Sequence, residues 1–201
     1  MKPIELPGCV TMGTRESWAT LSSCGRYRYA LGRAWDPAPE GEWDGVRATF
    51  SIVMLNPSTA DHSIDDPTIK KCIHFAKQEG CGSLLVRNLF AWRTTHPKEL
   101  HQVEDPWGPL NERVLELDPF FAMCVAAWGA LTPKWLRQKA SRSTGIVKMA
   151  RSLHVLGLTK HGYDQSSHFS SMTTRQPRHP LYLPNATRAV LWSKAQEASS
   201  V

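Results

Sequence analysis

The sequence predicts a three-layer α/β fold with a central four-stranded, mainly parallel sheet and helices on both faces. Two observations lead there. Four apolar runs of buried-strand length recur, at 51–55, 84–90, 121–127 and 153–158. Segments with helical spacing or helix-capping chemistry alternate with them, and strands alternating with helices favour a parallel sheet covered on both faces.

The first run carries the clearest punctuation. Residues 50–61 read Phe-Ser-Ile-Val-Met-Leu-Asn-Pro-Ser-Thr-Ala-Asp, an apolar strand broken by Asn56-Pro57-Ser58, which is strong turn chemistry. Upstream, residues 1–23 show little pattern and are expected to be peripheral. Residues 24–35 alternate in part, with Tyr27, Tyr29 and Leu31 set against Arg26, Arg28 and Gly32, so a half-buried strand with a basic outer face is expected. Residues 36–45 are rich in Pro, Gly and acids and read as a loop.

Beyond the turn, Asp66 is placed to cap a helix with Pro67 at its first position. Ile69, Cys72, Ile73 and Ala76 follow at helical spacing, and Gly80 stops the element. The second strand, 84–90, carries Arg87 and Asn88 inside an apolar run, where buried polar groups need partners. A turn-rich stretch leads to a helix around 110–117 and then to the third strand, closed by Trp128-Gly129. Residues 133–139 and 146–153 read as helix before the fourth strand. Residues 163–175 are polar and aperiodic and read as a long inserted loop, and the three prolines of 176–184 forbid a central strand. The tail at 196–201 is expected to be peripheral.

With 201 residues, one domain is expected over 1–201. A hydrophobic fraction of 41% with 21% charged residues is globular, and no apolar run reaches the length of a membrane span. The start of the chain lacks signal-peptide character, so a cytoplasmic protein without a membrane partner is expected. Five widely spaced cysteines, none in a Cys-x-x-Cys pair, favour reduced thiols over a disulfide framework, a zinc site or an iron–sulfur cluster. No metal and no cofactor are expected. Asp61, His62, Asp65 and Asp66 lie close in sequence, but capping accounts for Asp66 without a metal, and there is no glycine-rich phosphate loop.

The net charge of +6 is uneven. Between Lys134 and Lys194 stand eleven basic residues and one acid, Asp164, a footprint suited to a polyanion such as double- or single-stranded DNA. The plainer reading is a solvated basic face.

If the strands are parallel, their ends converge on one edge, where open α/β sheets bind ligands. Asn56, Asn88, Trp128-Gly129 and Arg178-His179-Pro180 would then share a site able to read a planar hydrogen-bonding ligand and a phosphate. Each residue has a structural reading too: Asn56 as a turn amide, Asn88 as a satisfied core amide, His179 as a packed histidine and Trp128 as core.

The motifs Met54-Leu-Asn-Pro-Ser-Thr-Ala-Asp61, Asp65-Asp-Pro-Thr68, Leu85-Val-Arg-Asn-Leu-Phe90, Ala127-Trp-Gly129 and Pro177-Arg-His-Pro-Leu-Tyr-Leu-Pro184 closely resemble a bacterial and phage family, domain of unknown function 1643, whose name assigns no activity. Their order also resembles the uracil-DNA glycosylase superfamily. Leu55-Asn56-Pro57 matches its first strand-end motif in the asparagine form of the mismatch-specific branch, Asn88 its base-reading asparagine, Trp128-Gly129 a strand end, and His179-Pro180 its C-terminal His-Pro. The His-Pro register has a second solution, in which Pro180-Leu181 aligns with a later Pro-Leu.

That resemblance implies a glycosylase-like fold and an enzyme that flips a pyrimidine, modified or not, into a pocket at the sheet's carboxyl edge. It implies Asn88, with Phe90 and Trp128, as base-binding residues. Asn56 would orient a water, and His179 would stabilise the leaving base. Asn56 cannot accept a proton as a carboxylate can, so such an enzyme would be slow or would use Asp61, Asp65 or Asp66 as base, and Asp66 is placed with Asn56 and His179 among the catalytic residues. Ser58, Arg87, Arg178 and Lys160 would hold phosphates. Two other functions fit the same residues: a transferase that modifies the base without cutting it free, with 163–175 holding the second substrate, and a non-catalytic nucleic-acid-binding module.

Overall fold

The computed structural model describes residues 2–36, 48–117, 121–129, 153–156 and 177–192. Within them lie eight strands: β1 Cys9–Gly13, β2 Ser17–Ser22, β3 Arg28–Ala34, β4 Thr49–Met54, β5 Ser83–Asn88, β6 Phe121–Ala126, β7 Leu153–Val155 and β8 Val190–Leu191. They form one sheet in the order β1-β2-β3-β5-β4-β6-β7-β8. Two α-helices accompany them among the described residues, α1 Pro67–Gln78 and α2 Asn111–Leu115.

This corrects the expected four-stranded, mainly parallel, three-layer architecture. The sheet is mixed: β4 pairs in parallel with β5 and β6, and β6 with β7, whereas β1-β2, β2-β3, β3-β5 and β7-β8 are antiparallel. The first 34 residues make the difference. Residues 9–22, expected to be peripheral, form an antiparallel hairpin that β3 joins and carries onto β5. Their signal is weak because β1 is an edge strand with an exposed face, Val10 and Met12 being 51% and 42% exposed.

β3 is also not half-buried. It lies inside the sheet between β2 and β5, so six of its seven residues are buried, Arg28 and Arg33 included. A bulge explains how two arginines share one face. Thr20 pairs with Ala30 but Leu21 with Arg28, leaving Tyr29 as the extra residue. Tyr29 and Ala30 then both pack with Val114 of α2, whereas Leu31 belongs to the core under α1.

α1 forms as its start and stop signals predict. Asp66 accepts from the backbone N–H of Ile69 at 2.9 Å, Pro67 stands in the first turn, and Gly80 follows at φ +75°. Ile69, Cys72, Phe75 and Ala76 are buried against Phe50, Ile52, Met54, Leu84, Val86 and Val125. The opposite face of the sheet holds Val53, Phe90, Leu115, Ala126, Trp128 and Trp192. Residues 177–192 cross back over α1. His74, Gln78 and Glu79 bond to the backbone of Asn185, Thr187 and Ala189.

No helix among the described residues is long and apolar enough to cross a membrane. The helices expected at 133–139 and 146–153, the loop at 163–175 and the tail at 196–201 fall wholly or largely outside the described residues.

Candidate functional site

The parallel register sets the strand ends level. Met54 pairs with Asn88, Val53 with Ala126, and Ala126 with Val155, so β4, β5, β6 and β7 finish at one edge. The last residues of each strand, and the face each takes, decide the site.

Side chains alternate along β5, and Leu84 and Val86 face α1, which puts Asn88 on the same face. Asn88 is 0% exposed, and neither its Nδ2 nor its Oδ1 has a hydrogen-bond partner. An amide buried with both ends unmet costs a few kcal/mol, which a ligand or ordered water can remove.

Arg87, one residue earlier, faces the other way. It is equally buried, and its Nη1 donates to the carbonyls of Val114, Leu115 and Leu117 at 3.2, 3.2 and 2.9 Å. Its Nη2 donates to Ser51 Oγ at 2.8 Å and to Cys124 Sγ at 3.4 Å. It therefore closes the carboxyl end of α2, where helical carbonyls lack partners, and is not free for a phosphate.

Phe90 and Trp128, expected among the base-binding residues, lie on that other face too. Phe90 is 0% and Trp128 2% exposed, and both sit in the core on the α2 side, Trp128 edge-on to Trp192 at 5.5 Å. The apolar packing that buries them keeps their faces from a ligand on the α1 side.

Asn56 is half-buried, and its Nδ2 donates to the carbonyls of Pro57 at 3.0 Å and Thr94 at 2.8 Å. Both amide hydrogens are used in holding the turn, and Oδ1 takes part in neither bond. Of the three acids after it, Asp61 accepts on Oδ1 from Ser63 N, Ser63 Oγ and Ile64 N, and the Ser63 backbone bond leads in holding its carboxyl below the usual range. Asp65 is paired with Arg33 at 2.8 Å. Asp66 accepts the single capping bond, so its second oxygen is the least committed of the set.

Arg28 enters the site unforeseen. The Tyr29 bulge returns it to the α1 face, where its Nη1 donates to the Ala60 carbonyl at 2.5 Å and its Nε has no partner. Arg33 holds the next carbonyl, that of Asp61, so two buried arginines grip the loop that carries Asn56 and Asp66. Burial lowers the Arg28 value to about 10, against the opposing pull of Asp66. Burial likewise lowers His179, again opposed by Asp66. Asp66 thus lies within Coulombic reach of both.

His179 is half-buried and precedes a single 3-10 turn, Pro180–Tyr182, that packs on α1. Its Nδ1 accepts from Leu181 N at 3.4 Å, so the neutral ring carries its proton on Nε2. Gly129 turns at φ +79°, where a Cβ would stand 3.6 Å from that of His179, which brings the end of β6 beside the histidine. The structure therefore sets Gly129 beside His179, with the Asp66 charge felt at both His179 and Arg28 and with Asn88 on the α1 face of the sheet.

Ser58 is half-buried in the gripped loop, Arg178 is exposed with Nη2 on the Tyr182 carbonyl at 3.4 Å, and Lys160 lies outside the described residues. Among the described residues, no three His, Cys, Asp or Glu side chains are grouped as metal ligands. The signal that could have revealed Arg28 is a basic residue beside two tyrosines in an otherwise buried strand.

No curated protein and no solved structure matches the chain. A family model matches residues 28–181, a span that runs from Arg28 past His179, and on it the chain belongs to the family described as protein of unknown function (DUF1643).

Proposed function

We propose that the chain is a DNA base-acting enzyme that takes a flipped pyrimidine, modified or not, at the carboxyl edge of β4, β5 and β6, and cleaves its glycosidic bond. The single observation that carries this reading is Asn88, fully buried with both amide atoms unmet. A pyrimidine edge presents a donor beside an acceptor, and an amide reads that pair in either orientation. The resemblance of Leu55-Asn56-Pro57, Asn88, Trp128-Gly129 and His179-Pro180 to uracil-DNA glycosylases supports the same assignment, which rests on these residues rather than on sheet topology.

In this scheme a water held by Asn56 Oδ1 gives its proton to Asp66, and its oxygen bonds to the sugar's anomeric carbon. The bond from that carbon to the base nitrogen breaks, its electron pair leaves with the base, and His179 Nε2–H faces the resulting anion. Arg178 and Ser58, at the rim, contact flanking phosphates.

Oligonucleotides carrying uracil, mismatched or modified pyrimidines are expected to acquire alkali-labile abasic sites, lost on His179→Ala. A mass shift in the nucleoside digest without abasic sites would assign base modification instead, and no change in any substrate would contradict an enzyme of either kind.

A further inference from the structure

We propose that Arg28 is the anion-stabilising group of the site, so that the pocket selects the ionised form of a nucleobase over its neutral form. This rests on the base-binding function proposed for Asn88 and adds to it a cation.

Arg28 is on β3 and Asn88 ends the neighbouring β5, the Arg28 N–H donating to the carbonyl of Ala91 just beyond that strand, and three buried polar atoms there have no partner: Arg28 Nε, Asn88 Nδ2 and Asn88 Oδ1. The amide supplies the donor and acceptor that recognise a base edge. Arg28 supplies an additional N–H on a group that carries charge, which strengthens its bond to an oxygen or nitrogen bearing negative charge.

His179 cannot take that role at neutral pH. Its ring is held uncharged by burial and can offer Nε2–H only as a neutral donor. The neighbouring Arg33 is already paired with Asp65, and Arg93 donates to the Gly25 carbonyl. Arg28 alone among the three combines near-complete burial, an unmet donor and a place on the strand next to the end of β5. Its Nη1 is fixed on the Ala60 carbonyl, so the guanidinium is oriented before any ligand arrives.

The test uses free bases and the whole chain. 5-Nitrouracil ionises in mildly acidic solution, whereas uracil stays neutral there. The affinity of wild type for each is measured on both sides of that ionisation. Uracil reports any titration of Asp61, Asp66 and His179, and the difference between the two reports the ligand's charge. The anion is expected to bind about tenfold or more tightly than neutral 5-nitrouracil, the scale of a hydrogen bond to a charged group. Arg28→Met should bring that ratio to about one while uracil still binds, and Arg28→Lys should keep part of it. Binding of both bases with no preference for the anion in wild type would overturn the role of Arg28 and leave the base pocket standing. An undiminished preference in correctly folded Arg28→Met would do the same. Failure of wild type to bind either base would remove the pocket and this inference with it.

Discussion

Arg87 and Asn88 are adjacent, equally buried and opposite in condition. On the α2 face the Arg87 guanidinium meets three carbonyls at and just past the end of α2, a hydroxyl and a thiol. On the α1 face the Asn88 amide meets nothing. Burial alone therefore does not say whether a polar side chain holds the fold. The bonds its donors and acceptors make add to that, because a satisfied group stabilises modestly whereas an unmet one costs the full desolvation.

The sharpest way to break this contrast is to make both positions apolar. Arg87→Leu strands the α2 carbonyls and is expected to cost about 3 kcal/mol in urea unfolding. Asn88→Leu removes an unmet amide with the same branching and heavy-atom count but a larger side chain, and is expected to leave stability at or slightly above wild type while abolishing base binding. A similar loss at both positions would dissolve the distinction.

Smaller effects test the elements around Asn88. Asp66→Ala loses the cap of α1, about 1 kcal/mol, and should also stop base release, whereas Asp66→Asn should restore most of the cap without the activity. Gly129→Ala forces a side chain into φ +79° beside His179, a cost of about 1 kcal/mol in the same unfolding assay. For His179, the folded value lies below the ordinary 6.5, so the unfolded chain binds the proton more readily. Its contribution to stability is then present above about 6.5 and lost as pH falls through the folded value. His179→Ala should flatten that part of the pH–stability curve.

Several of these features are legible in the sequence, each for a local reason. Asp66-Pro67 is a complete helix start, and an asparagine inside an apolar strand signals a cost that something must offset. Arg87 escapes a correct reading because, in a linear sequence, two polar residues in one apolar run look alike. Only the pairing of α2 with β5 tells them apart. The core placement of Phe90 and Trp128 is not legible for the same reason, since which face a residue takes after a strand ends depends on tertiary packing. Arg28 is hidden by the Tyr29 bulge, which shifts the alternation by one residue and has no composition of its own. The antiparallel half of the sheet is hard to read because β1 is partly exposed and β3 mixes arginines into a buried strand.

The most direct test is the melting temperature of wild type and Asn88→Leu, each with and without saturating pyrimidine base. A ligand bound by the native state alone raises melting in proportion to its occupancy. The expected result is a ligand-dependent rise in wild type, and in Asn88→Leu an unliganded melting temperature at or above wild type with no rise on adding the base. A ligand-dependent rise that survives in Asn88→Leu, or a loss of stability there comparable to Arg87→Leu, would contradict the assignment of Asn88 as the base-reading residue.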